Sequence, residues 1–150
     1  MAYLKKSILI HASVEDVYAL ARDPNRWPVW YVGMSELDEL TGEGEVGTTA
    51  QFRYTMAGMS FPVTVEVLED QSDPEGARWH GRIEGPLAGE QTFTYAPDDG
   101  DTEVTAEIEY TVPGKALGRV ANRLVIERMQ ARSMEATLDN LKLLCEEGAD

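Results

Sequence analysis

The stretch PGKALGRVANRLVIERMQARSMEATLDNLKLLCE, Pro113 to Glu146, decides the fold. Pro113-Gly114 breaks a strand, and from Lys115 to about Glu146 no further proline interrupts the chain. Apolar residues recur through it at intervals of three and four: Leu117, Val120, Ala121, Leu124, Val125, Ala131, Met134, Leu138, Leu141 and Cys145. The spacing predicts one long helix, roughly 45 Å at 1.5 Å per residue, with one stripe facing a sheet. Gly118 and Ala121 keep the first half of that stripe slim, whereas Met134, Leu138, Leu141 and Leu144 make the second half bulky. Spare room is expected between the sheet and the first half.

Upstream, the period changes to two. Leu4, Lys6, Ile8, Ile10 and Ala12 alternate with Lys5, Ser7, Leu9 and His11, a strand that ends where Ser13 is placed to cap a short helix. Glu15 and Asp16 stand in its first turn, where the helix dipole favours them, and Val17, Leu20 and Ala21 give it an apolar face. Asp23-Pro24 opens a second brief helical turn, and Trp27, Trp30 and Tyr31 then crowd aromatics beside Pro28 to plug one end of the sheet. Six further strands follow at Met34 to Thr41, Thr48 to Met56, Ser60 to Asp70, Ala77 to Gly85, Glu90 to Ala96 and Glu103 to Val112. The connections between them are short and rich in Gly, Pro and Asp, so the sheet reads as an antiparallel meander.

Alternation assigns the face turned toward the helix: Phe52, Tyr54 and Met56; Phe61, Val63, Val65 and Val67; Trp79 and Ile83; Phe93 and Tyr95; Val104, Ala106, Ile108, Tyr110 and Val112. The other face, with Arg78, His80, Arg82, Thr105, Glu107 and Glu109, meets water. His80 and His11 have no evident link, so a metal site built on them is not expected.

At 150 residues the chain fits one domain, 1–150, able to bury roughly two thirds of its unfolded surface. No repeat or linker divides it. Its single cysteine, Cys145, lies on the late helix and reads as a reduced, structural thiol. The absence of a long apolar run and of a signal-peptide pattern leads us to expect a soluble, cytoplasmic protein without stable membrane insertion. A net charge of -14, from 27 acids against 13 bases, excludes nucleic acid as a natural partner. Six of the bases, Lys115, Arg119, Arg123, Arg128, Arg132 and Lys142, fall on the long helix, but Glu127, Glu135 and Asp139 interrupt them and a solvated face accounts for them.

The order of strand, two short helices, antiparallel meander and long terminal helix resembles the START-like superfamily, also called Bet v 1-like, SRPBCC or helix-grip. Particular segments carry the likeness. Ile8 to Tyr18 with Asp23-Pro24 and Trp27 to Trp30 resembles the superfamily's opening. Leu40-Thr41-Gly42 with Val46-Gly47-Thr48, the Asp99 to Val104 hairpin and Tyr110 to Gly114 are similar to its polyketide cyclase/dehydrase and lipid-transport branch. The resemblance implies an α+β helix-grip fold: a curved antiparallel sheet of about seven strands around the long C-terminal helix, with two short helices between the first two strands. It also implies a cavity for an apolar or amphipathic small molecule such as a lipid, polyketide or isoprenoid. No cofactor and no metal are expected. No catalytic motif carries over.

Candidate ligand-binding residues are Trp30, Phe52, Tyr54, Phe61, Val63, Trp79, Phe93, Tyr95, Tyr110, Leu117, Ala121, Leu124, Val125 and Arg128, with phenol hydroxyls as the polar handles of an apolar lining. The leading expectation is a binding or carrier protein for a small hydrophobic ligand. One alternative is a cyclase, aromatase or dehydratase built on Tyr54, Tyr95, Tyr110 and Arg128. Another is a protein-interaction module with an acidic surface, its protein partner unknown. Against all of these stands the reading that Trp79, Phe93 and Tyr110 simply fill the core.

Overall fold

The computed structural model describes residues 2–56, 58–86, 88–111 and 123–147. Strand β1 (Ala2–Ile10) leads into helix α1 (Val14–Ala21), a single 3-10 turn (Pro24–Arg26) and the short helix α2 (Trp27–Trp30). Six strands follow: β2 (Met34–Thr41), β3 (Thr49–Met56), β4 (Met59–Asp73), β5 (Gly76–Glu84), β6 (Gly89–Asp98) and β7 (Asp101–Tyr110). Helix α3 (Arg123–Glu147) comes last, 25 residues or about 37 Å long. The predicted helix start at Lys115, and with it Leu117, Gly118, Val120 and Ala121, lies outside the described residues, as does Val112.

The strands form one curled antiparallel sheet in the order β1-β7-β6-β5-β4-β3-β2. The meander runs from β2 to β7, and β1 then closes against β7 in unbroken register from Ala2↔Tyr110 to Ile10↔Thr102. Strand parity holds: Phe52, Tyr54, Met56, Phe61, Val63, Val65, Val67, Trp79, Phe93, Tyr95, Val104, Ala106, Ile108 and Tyr110 are all buried. Ser13 caps α1, its Oγ accepting from the Asp16 N–H at 3.2 Å.

Helix α3 covers the concave face with Ile126, Met134, Leu138, Leu141 and Cys145. The phase of its stripe corrects the sequence reading at one end. Apolar spacing puts Leu124 and Val125 on the covered side, yet they are 62% and 41% exposed, and Ile126 takes the buried position. Counting back from Met134 in steps of four gives Gln130 and Ile126, so an inward glutamine continues the stripe where only apolar residues were followed. Polar bonds fix the helix in place. The Val32 N–H donates to Thr137 Oγ1 at 3.0 Å, and Asn140 Nδ2 donates to the Trp30 carbonyl at 3.3 Å. Toward β1, Lys6 pairs with Glu135 at 2.7 Å, and Lys142 donates to the Leu9 carbonyl at 2.8 Å.

Strand β4 carries an irregularity that the sequence did not announce. Its inward residues are odd-numbered through Val67, but a bulge between Val67 and Glu69 shifts the register so that Asp70 stands opposite Trp79 on the concave side. The carboxylate there accepts from the Tyr18 hydroxyl at 2.5 Å and from Arg22 at 2.8 and 3.1 Å, which ties α1 to the sheet. Burial alone would raise the Asp70 pKa; the Arg22 and Tyr18 hydrogen bonds and the guanidinium charge outweigh it and hold the carboxyl below its ordinary value.

Glycine shapes β5. A methyl group at Gly81 would lie 2.8 Å from Trp79 Cζ3, 3.0 Å from Cζ2 and closer still to Cη2, so the missing side chain is what lets the indole lie along its own strand. Gly81 also stands opposite Gln91 on β6.

Two outcomes follow from these contacts. Asp70→Asn should destabilise the fold by about 2 kcal/mol in urea denaturation at pH 7, because it removes the charged partner of Arg22. The depressed carboxyl contributes fully above its unfolded pKa of about 4, so the gap from wild type should begin to narrow as pH falls below that value and close only when the pH passes the lower folded pKa and the folded carboxylate is protonated. Gly81→Ala should cost about 1–3 kcal/mol through overpacking, read in the same experiment, with the near-ultraviolet tryptophan signal altered as the Trp79 ring is displaced.

Candidate functional site

Over the inward face of the sheet the packing leaves two adjoining voids, each with a cavity volume of about 30 Å³. The first is lined by Tyr54, Val63, Ile108 and Tyr110 from the sheet and Gln130 from α3. The second lies against the aromatic plug, among Trp27, Trp30, Trp79, Phe93 and Tyr95, with Ala21 from α1 and Val65 from β4. Tyr31, Met34, Ile83 and Gln91 wall both, so the two spaces are neighbours.

Seven of the expected ligand-binding residues meet at these voids: Trp30, Tyr54, Val63, Trp79, Phe93, Tyr95 and Tyr110. Phe52 and Phe61 are buried beside them without lining either space; Phe52 packs on Trp27 with ring centroids 5.8 Å apart, and Phe61 on Tyr54 at 5.8 Å. Leu117 and Ala121 lie outside the described residues, while Leu124, Val125 and Arg128 are exposed. The proposed grouping of Tyr54, Tyr95, Tyr110 and Arg128 is therefore not a single cluster: the first and third border one void, Tyr95 the other, and Arg128 faces solvent.

Two glutamines were missed. Gln91 precedes Phe93 and Tyr95 by two and four positions on β6, so strand parity turns it inward; its amide donates to the Tyr31 hydroxyl. Gln130 donates to Tyr54 Oη at 3.4 Å and to Met56 Sδ at 2.9 Å. Both signals were periodic rather than compositional, and a search confined to apolar residues passes over them.

The electrostatics of the site are those of a neutral interior. Burial pushes the Tyr31, Tyr54 and Tyr95 hydroxyls up from the ordinary phenol value, and the glutamine bonds to Tyr31 and Tyr54 offset this only in part. All three stay protonated at neutral pH. Among the described residues lining the voids, none is Asp, Glu, His, Lys, Arg or Cys. Cys145 is buried elsewhere on α3, where burial and then the charges of Glu146 and Asp16 push its thiol up to about 11. Each histidine faces a carboxylate on the surface, His80 with Glu90 at 2.8 Å and His11 with Asp101 at 3.1 Å. Among the described residues no group of three or more His, Cys, Asp or Glu converges on a metal position, and no helix is long and apolar enough to cross a membrane.

The three tryptophans differ in how their N–H groups are satisfied. Trp27 Nε1 donates to the Ala21 carbonyl at 2.9 Å. Trp30 and Trp79 pack edge-on against Phe93, both at 6.0 Å, and their indole N–H groups have no acceptor among the described residues.

Solved structures with the same architecture include a protein from Thermus thermophilus, with TM-score 0.82, 19% identity and coverage of 99% of this chain and 100% of that one. The ZhuI aromatase/cyclase from a Streptomyces species matches with TM-score 0.80, 15% identity and coverage of 99% and 96%. A START superfamily protein from Mycobacterium smegmatis matches with TM-score 0.72, 14% identity and 97% of each chain. No curated protein matches the sequence. The family model described as polyketide cyclase/dehydrase and lipid transport spans residues 1–146. With its sheet, helices and interior accounted for in this way, the chain shares its fold with these structures and belongs to the polyketide cyclase/dehydrase and lipid transport family.

Proposed function

We propose that the protein binds a small hydrophobic or amphipathic molecule in the space between the sheet and α3, acting as a binding or carrier protein. The observation that carries this reading is the shared wall of the two voids. Neither void, at about 30 Å³, holds more than a few atoms. Met34 and Tyr31 line both, and on this reading a ligand joins the spaces into one apolar chamber by turning aside the unbranched, three-torsion Met34 side chain together with the Tyr31 ring. Around that chamber the polar groups are few and neutral, the pattern of a small-molecule pocket.

The same chemistry favours binding over catalysis. Phenol groups held protonated by burial donate hydrogen bonds and do not take protons at neutral pH, and no described residue at the voids offers another base. The Streptomyces aromatase/cyclase and the norcoclaurine synthase from Thalictrum flavum are enzymes on this fold, at 15% and 16% identity. Fold alone does not extend their activities to this chain. The family description supports lipids and polyketides as the classes to examine first.

The test is direct. Native mass spectrometry of the protein purified from its own host is expected to show a co-purifying lipophilic molecule, and the neutral dye N-phenyl-1-naphthylamine is expected to bind saturably with a blue-shifted emission. Ile83 borders both voids, so Ile83→Trp should abolish dye binding in a protein that still folds. Failure to find either a bound molecule or saturable dye uptake would leave the core-filling reading in possession.

A further inference from the structure

We infer that the void beside the aromatic plug recognises a neutral carbonyl oxygen, that of a ketone, quinone or ester, through the indole N–H groups of Trp30 and Trp79. The inference rests on the binding reading above and narrows its ligand class. Trp30 and Trp79 are 4% and 8% exposed, line the same void, and are the buried side chains whose donors find no partner among the described residues. Trp27 lines that void as well, yet its N–H is spent on the Ala21 carbonyl at 2.9 Å.

A buried donor without an acceptor costs free energy that a bound acceptor recovers, so two such donors on one void distinguish among ligands that are otherwise equally apolar. A hydrocarbon leaves both unpaired. A carboxylate or phosphate brings a charge that none of the described lining residues neutralises, and its desolvation counts against it. A neutral carbonyl oxygen has two lone pairs and no charge, and a volume of about 30 Å³ admits it at the indoles while the rest of the molecule extends past Tyr31 and Met34. Phe93 packs edge-on against both indoles, and Gly81 leaves the Trp79 ring its place along β5, so both rings stand in the wall of the void before a ligand arrives, and a small turn of either ring brings its covered N–H to a carbonyl oxygen there.

The test uses the full chain with ¹⁵N-labelled tryptophan, whose three indole N–H signals are assigned by single Trp→Phe substitutions. Three single-ring probes of one shape are titrated: acetophenone, α-methylstyrene, which replaces the carbonyl oxygen by CH₂, and benzoate. Acetophenone is expected to move the Trp30 signal, the Trp79 signal or both downfield while Trp27 stays in place. α-Methylstyrene is expected to bind without that movement, and benzoate to bind more weakly than acetophenone. Trp79→Phe or Trp30→Phe should weaken acetophenone about fivefold, the worth of one hydrogen bond, and leave α-methylstyrene unchanged. Equal responses to acetophenone and α-methylstyrene would overturn the inference and leave the binding reading standing, as would benzoate binding as tightly as the ketone. If neither neutral probe binds, both readings fall together.

Discussion

Everything in this molecule depends on how one concave apolar surface is covered. Seven antiparallel strands turn their inward residues to the same side, and that side cannot face water without losing the hydrophobic stabilisation that holds the sheet together. Helix α3 supplies the cover through Ile126, Met134, Leu138 and Leu141. Its position is set less by those apolar contacts, which tolerate sliding, than by directional bonds. Thr137 and Asn140 take the backbone of Val32 and Trp30, so the helix and the aromatic plug are placed as one unit over the sheet. A rigid cover over a curled surface does not fill it evenly, and the unfilled remainder lies around Tyr31, Met34, Ile83 and Gln91, which border both voids.

The architecture was readable because two periods dominate the sequence and do not overlap. Residues at spacing two from Phe52 to Tyr110 gave the buried face correctly, and the short Gly, Pro and Asp connections gave the meander. The partnership of β1 with β7 joins the two ends of the chain's strand region, and no local pattern encodes a pairing more than ninety residues apart. The bulge at Val67/Glu69 was hidden for a different reason. It adds one residue to a strand whose composition reads the same on either side, and only the partner strand reveals that Asp70 has changed faces.

Half of the expected site residues border the voids, and the exceptions within the described residues differ between strands and helix. An aromatic ring at an inward strand position is equally suited to line a space or to fill one, and Phe52 and Phe61 fill. On α3 the reading followed apolar residues alone, which pulled Leu124 and Val125 onto a face they do not occupy and passed over Gln130. Hydrophobicity identifies the cover; the polar residues that interrupt it at the same spacing identify the interior's chemistry. That chemistry is neutral throughout the described lining: amides, phenols kept protonated and indoles. The charged groups that fix the fold, Asp70 with Arg22 and Lys142 with Glu146, sit outside it.

The central claim is that unfilled apolar space persists between sheet and helix, and xenon measures such space with little disturbance of its walls. In a crystal of the protein held under xenon pressure, the account predicts anomalous scattering peaks on both sides of the layer formed by Tyr31, Met34, Ile83 and Gln91. A derivative with no xenon between the sheet and α3, those side chains being in mutual contact on both sides, would contradict it.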